Sequence, residues 1–309
     1  MAIELGHNQY GKAETRVVRV YRDGERHEIR DLNVTTTLRG DFASAYTRGD
    51  QASVLPTDSQ KNTCFAFAKE KGVSDIEDYA LDLARHFVND VGPVALARVE
   101  VEEYRWERIA VAGQQHPHAF ARAGQDVPTA AVTVTGQEPA QRAWVVSGLK
   151  DLVLLKSTGS EFTGFLKDRY TTLAETTDRV LATSLTARWR YQAGPVYQAG
   201  PPPVRWAEAH AQIRRILLER FAAVHSLALQ QTLWEMGRAV LAARDDIAEI
   251  RLSAPNKHHF LADLSPFGLD NPGEVFHAAD RPYGLIQCAV QRSDAADPGP
   301  AWGSAAAFG

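Results

Sequence analysis

Cysteine is scarce in this chain of 309 residues: Cys64 and Cys288 stand far apart, each in an apolar run. That excludes a disulfide framework and fits buried thiols in a reducing compartment. Long apolar stretches are missing too. No segment approaches the roughly eighteen apolar residues of a membrane helix, and the first twelve residues lack a basic segment followed by an apolar one. Neither membrane spanning nor export is expected. The last residues, Ser304-Ala305-Ala306-Ala307-Phe308-Gly309, are not a Ser-Lys-Leu peroxisomal address, which leaves the cytoplasm as the expected location. The net charge is a mild -4, with no Lys/Arg cluster interleaved with aromatics, so nucleic acid is not an expected partner. No glycine-rich phosphate loop occurs, and no nucleotide cofactor is indicated. A metal site is not expected either. His258 and His259 are adjacent and face opposite sides of a strand, the cysteines have no paired partner, and His116-Pro117-His118 has no companion carboxylate pattern.

What is present is ordinary globular material. Hydrophobic residues at 44% and charged residues at 23% support a sizeable core in one large domain or two of about 150 residues each. Residues 15–21 and 27–38 are rich in Val, Thr and Ile and predict two strands joined by the polar loop Arg22-Asp23-Gly24-Glu25. Residues 41–49 and 58–69 read as helical turns. Ser74-Asp75-Ile76-Glu77 has the spacing of a capping box, and Ile76, Tyr79, Leu83 and Phe87 then recur on one helical face until Gly92-Pro93. Residues 94–111 and 130–135 return to strand composition.

A similar order follows in the second half. Residues 143–155 and 182–191 predict strands, enclosing a loop and a short Thr-rich helical piece over 171–179. A Pro/Gly-rich connection over 194–203 precedes two amphipathic runs, one with Ile213, Leu217 and Phe221 on a face, the other with Leu233, Met236 and Val240. Strands are expected again over 247–252, 259–264 and 283–290. This echo of about 145 residues argues for a duplicated α+β unit, an antiparallel sheet with helices on one face. The expected division is 1–140, 141–293 and a flexible C-terminal tail over 294–309.

Several short stretches carry the chemistry. In Leu55-Pro56-Thr57-Asp58-Ser59-Gln60-Lys61-Asn62-Thr63, Thr57 and Asp58 stand where side chains cap a first helical turn, and a helix start can also receive an anion beside a hydroxyl. Phe162 lies in the small-residue loop Lys156-Ser157-Thr158-Gly159-Ser160-Glu161-Phe162-Thr163-Gly164-Phe165, where a ring either plugs a core or stacks on a planar ligand. Arg179 offers a planar fork of donors for a carboxylate or a heterocycle edge. Gln230, after Leu229, offers a donor and an acceptor side by side, matching the amide edge of a purine. Pro255-Asn256-Lys257-His258 leads into a strand on which His258 and Phe260 point one way.

Taken together, Tyr10-Gly11-Lys12, Pro56-Thr57-Asp58-Ser59 with Lys61-Asn62-Thr63, Leu155-Lys156-Ser157-Thr158 with Phe162 and Gly164-Phe165-Leu166, Asp178-Arg179, Gln230 and Pro255-Asn256-Lys257-His258 resemble, in content and order, the urate oxidase (uricase) family of the tunnelling fold. The resemblance spans nearly the whole chain. It implies two tandem units per chain and a homotetramer whose sheets form a barrel around a tunnel, with active sites at subunit interfaces. It also implies oxidation of urate by dioxygen and water to 5-hydroxyisourate and hydrogen peroxide without metal or organic cofactor. By the same resemblance, Lys12, Thr57 and His258 form the proton relay, and Phe162 stacks on urate. Arg179 and Gln230 grip its polar edges, Leu229 contributes backbone contact, and Asn256 holds dioxygen or the attacking water. Thr57 and Asp58 arrive from the neighbouring subunit. Leu229 stands where the family pattern has a smaller Val. Two alternatives are another purine- or pterin-acting enzyme on the same fold and a catalytically silent assembly protein.

Overall fold

A computed structural model describes residues 3–138, 140–192 and 204–303. The chain divides into two compact units, one of residues 1–148, 190–209 and 296–309, the other of 149–189 and 210–295. The architecture is α+β, built on antiparallel ladders.

In unit 1, β1 (Tyr10–Tyr21), β2 (Glu28–Gly40), β3 (Val94–Glu103) and β6 (Val127–Thr135) lie side by side in that order, each pair antiparallel. The strands are rich in Val and Thr, whose branched side chains suit a pleated, half-buried surface. On β3, Val94, Ala97, Val99 and Val101 are buried, and α3 (Ile76–Asp90) lies against β3 and β6. Its Ile76, Tyr79, Ala80, Leu83, Ala84 and Phe87 are all buried. A large apolar side chain so buried is worth roughly 1.5–3 kcal/mol, so this face fixes the helix. α1 (Ala43–Arg48) and α2 (Thr57–Glu70) precede it. α2 packs on β1, and Tyr79 Oη donates to the Cys64 carbonyl at 2.7 Å, tying the two helices together.

Several expectations need correction. β1 begins at Tyr10, five residues earlier than composition suggested, and takes Lys12 into the ladder. The strand expected over 94–111 is two, β3 and β4 (Trp106–Val111), and β4 turns back through Ala112 and Gly113, both at positive φ, into β5 (Gln114–Arg122). The capping box does not form. Asp75, extended and without a side-chain cap bond, precedes the first turn, while Glu77 lies on the inward face, where Ser147 Oγ donates to it at 2.5 Å. Thr57 and Asp58 are not caps either: Pro56 (φ −52°, ψ 141°) holds the cap position and Thr57 is the first helical residue. Within the expected tail, Ala301 is fully buried against Ala131, Trp144 and Val146, and its carbonyl accepts from Arg98 Nη1 at 2.8 Å.

Unit 2 contains the end of β7 (Arg142–Lys156), most of β8 (Leu181–Tyr191), most of α4 (Trp206–Ala223), then α5 (Leu229–Ala243), β9 (Ile247–Leu261) and β10 (Phe276–Gln291). α5 packs on β9 and β10 through Leu233, Met236, Gly237 and Val240, all buried. β9 runs unbroken through Pro255, where a gap was expected. No helix forms over 171–179: Thr176 instead bridges Phe162 in antiparallel fashion, as befits β-branched residues that lose side-chain freedom in a helix. The connection expected over 194–203 lies outside the described residues.

Candidate functional site

In unit 2 the loop after β7 and the strand β9 wall a cavity of about 530 Å³, whose lining includes Phe162, Asp178, Arg179, Asn256, His258 and Phe276. Phe162 and Asn256, 94 positions apart in the chain, are thus brought together. The loop side is held by its backbone. Phe162 N–H donates to the Thr176 carbonyl at 2.8 Å and Thr176 N–H returns the bond at 3.1 Å. The Phe162 ring stacks on Phe165 at 4.8 Å with 12° between planes, and the Arg179 guanidinium carbon lies 5.5 Å from its centroid. Burial lowers the Arg179 pKa from its ordinary value; the group remains a cation across the working range of proteins. Lys156, at the end of β7, donates to the carbonyls of Phe221 at 3.4 Å and Val224 at 2.5 Å, and burial lowers its pKa too.

On the strand side, β10 opposes β9 with Gly284 across from Asn256 and Ala279 across from His258, so four residues of β10 bulge opposite Lys257 alone. Bulges bend a strand and re-aim neighbouring side chains, and here one sits between the two candidate residues. His258 and Phe260 share a face, their rings 5.8 Å apart. Leu229 and Gln230 open α5; Leu229 is buried and Gln230 exposed. Neither lines the cavity.

Unit 1 carries Lys12, Thr57 and Asp58. Lys12 stands where the β1–β2 register shifts between Lys12 and Thr15. Gly11 before it allows that close approach, since a Cβ there would lie 1.8 Å from the Thr36 carbonyl oxygen. The Lys12 backbone N–H donates to Thr36 Oγ1 at 3.3 Å, and that hydroxyl donates to Gln60 Oε1 at 2.7 Å. Gln60, on α2, is fully buried and donates weakly to the Leu55 carbonyl at 3.4 Å, which Tyr10 Oη also reaches at 3.1 Å. The strand holding Lys12 and the start of α2 therefore share one buried anchor. Thr57 and Asp58 themselves are exposed. The hydrogen bond from Lys61, then its charge, holds the Asp58 carboxyl below its usual range, with a small further contribution from Lys12.

The family model for uricase matches residues 8–133 and 145–287. The chain belongs to the uricase family. It is 50% identical to the uricase of Arthrobacter globiformis over 99% of this chain and 96% of that protein, and 34% identical to that of Cyberlindnera jadinii over 95% and 99%. The crystal structure of the Arthrobacter globiformis uricase covers 98% of this chain, with a TM-score of 0.88. That of Bacillus sp. TB-90 urate oxidase, 24% identical, shares the fold with a TM-score of 0.80.

Within this uricase frame, unit 2 joins Phe162, Arg179, Asn256 and His258 around one cavity, while Lys12, Thr57 and Asp58 belong to unit 1. Sequence inspection missed Thr36 and Gln60, whose partnership spans 24 residues, and the buried hydroxyls of Ser160, Ser226 and Thr232. Their signal is weak, since small polar residues near turns are ordinary. Both thiols are free. Burial pushes Cys64 up to about 12 and raises Cys288 as well, so neither is poised as a nucleophile. Among the described residues no group of three His, Cys, Asp or Glu side chains could hold a metal ion, and no described helix is long and apolar enough to cross a membrane.

Proposed function

We propose that this chain oxidises urate with dioxygen and water to 5-hydroxyisourate and hydrogen peroxide. The observation that carries this is the cavity bounded jointly by Phe162, Arg179, Asn256 and His258, in a chain related over its whole length to uricases. A flat aromatic face supports a planar heterocycle. The Arg179 fork and the Gln230 amide suit its carbonyl and N–H edges, with Leu229 giving backbone contact. Phe162 is the stacking ring. Asn256, on β9, offers an amide donor and acceptor to hold dioxygen or the attacking water.

The chemistry asks the protein for positioning and proton transfer. Urate supplies two electrons, dioxygen takes them to become peroxide, and water supplies the oxygen that bonds to the ring. Lys12, Thr57 and His258 serve as the relay: a threonine hydroxyl is a poor base alone and passes a proton only between stronger partners. Holding the reactants aligned supplies a large share of the barrier reduction, and neither metal nor organic cofactor is needed. Thr57 and Asp58 come from a neighbouring copy of the chain in a homotetramer whose sheets close into a barrel, each chain contributing tandem units over 1–140 and 141–293. Their exposure at the start of α2 supports that arrangement. The cytoplasm is the proposed location.

The test follows urate absorbance, dioxygen uptake and peroxide release together, on chelator-treated protein without added cofactor. Equal loss of urate and dioxygen with equal release of peroxide is expected. Urate that persists under these conditions refutes the assignment.

A further inference from the structure

Behind Arg179 lies a knot of three hydroxyls, Ser160, Ser226 and Thr232, each with 0% exposure. Arg179 is bound to it twice: its N–H donates to the Ser160 carbonyl at 2.9 Å, and its Nε donates to Ser160 Oγ at 3.2 Å. The second bond commits the inner edge of the guanidinium and sets the plane in which the two terminal nitrogens lie. Ser160 is itself pinned to the α4–α5 turn. Ser226 N–H donates to the Gly159 carbonyl at 2.9 Å, Glu161 N–H donates to the Ser226 carbonyl at 2.8 Å, and Thr232 Oγ1 donates to Ser226 Oγ at 2.8 Å. Thr232 is on the first turn of α5, beside Leu229 and Gln230. One short segment, Gly159-Ser160-Glu161, thus anchors both Arg179 and the start of α5.

We propose that Ser160 is a positioning residue for urate: its buried hydroxyl orients the Arg179 guanidinium, and the Ser226–Thr232 pair holds that arrangement in register with Gln230. The inference rests on Arg179 and Gln230 gripping the substrate, as proposed above. An arginine with only its backbone fixed samples several rotamers, and ordering it on binding costs affinity. Ser160 removes that cost beforehand.

The experiment is a double-mutant cycle on the full-length protein. The dissociation constant for urate is measured under anaerobic conditions, where turnover cannot proceed, with thermal unfolding recorded for every variant. Ser160→Ala is expected to weaken binding about tenfold in the wild-type background and less than about twofold in the Arg179→Ala background. The pH profile of kcat should be unmoved, because the relay is untouched. Equal effects in both backgrounds, or none in the wild type, would overturn the inference. Should Arg179→Ala bind urate like the wild type, the assignment of Arg179 falls and the inference with it; if only Ser160→Ala is silent, the inference alone falls. If the alanine variant does not fold, Ser160→Cys, which fills the site with a somewhat larger atom and weakens the acceptor, gives the same comparison.

Discussion

Glu77 is a carboxyl held inside unit 1, only 5% exposed, and the catalytic proposal has no use for it. Burial is the main cause that raises its pKa from 4.5 to about 7; the Ser147 hydrogen bond opposes the rise, and the nearby Asp75 and Asp78 charges add to it. A carboxyl so raised favours the folded state while protonated. Its contribution is complete below pH 4.5 and is lost as pH rises through about 7. At about 1.4 kcal/mol per unit, the loss amounts to roughly 3 kcal/mol. Glu77→Gln cannot ionise, and its carbonyl oxygen still accepts from Ser147 Oγ, though the new amide donors cost about 1 kcal/mol if unpaired. The variant should therefore be the less stable protein near pH 4.5 and the more stable one at pH 8. Urea unfolding of both proteins, at equal concentration and at steps between pH 4.5 and 8, reads the difference. Asp75 and Asp78 are also raised, chiefly by burial, but they are common to both proteins and largely cancel. Parallel stability curves would refute the assignment of a buried, raised carboxyl.

Thr57→Ala should lower kcat by about a hundredfold or more while leaving the melting temperature unchanged, since the side chain is exposed and the loss is one of proton transfer; an unaltered kcat would remove Thr57 from the relay. Gln60→Leu strands the Thr36 hydroxyl, which donates to Gln60 Oε1 at 2.7 Å. It should cost about 1–3 kcal/mol and reduce kcat through displacement of Lys12 and α2; full stability with full activity would show the anchor to be dispensable. Gly237→Ala places a Cβ 2.6 Å from Val290 Cγ2 and 3.3 Å from Ile250 Cγ2. It should destabilise by about 1–3 kcal/mol, with Val290→Ala restoring part of the loss; absence of that rescue would point away from a helix-to-sheet clash.

The parts of this molecule legible in its sequence are those whose cause is local. The α3 face was visible because Ile76, Tyr79, Leu83 and Phe87 repeat with the helical period and are all buried, and β2 was visible because β-branched residues cluster within one strand. The candidate site residues were proposed from ordered short motifs, and four of them line one cavity. What escaped notice depends on partners far along the chain. Glu77 has the spacing of a cap, yet faces inward, where Ser147, 70 residues away, donates to its carboxyl group. Pro255 looks like a strand breaker, yet β9 continues through it opposite Leu285 of β10. The Thr-rich stretch before Arg179 forms no helix, and its Thr176 pairs with Phe162. Ser160 carries no motif of its own and acquires its importance only when Arg179 and Ser226, 19 and 66 positions later, close on it. The first layer of such a site consists of chemically distinctive side chains. The layer behind it consists of commonplace hydroxyls whose role is set by burial, because an interior polar group must find a partner and then holds it.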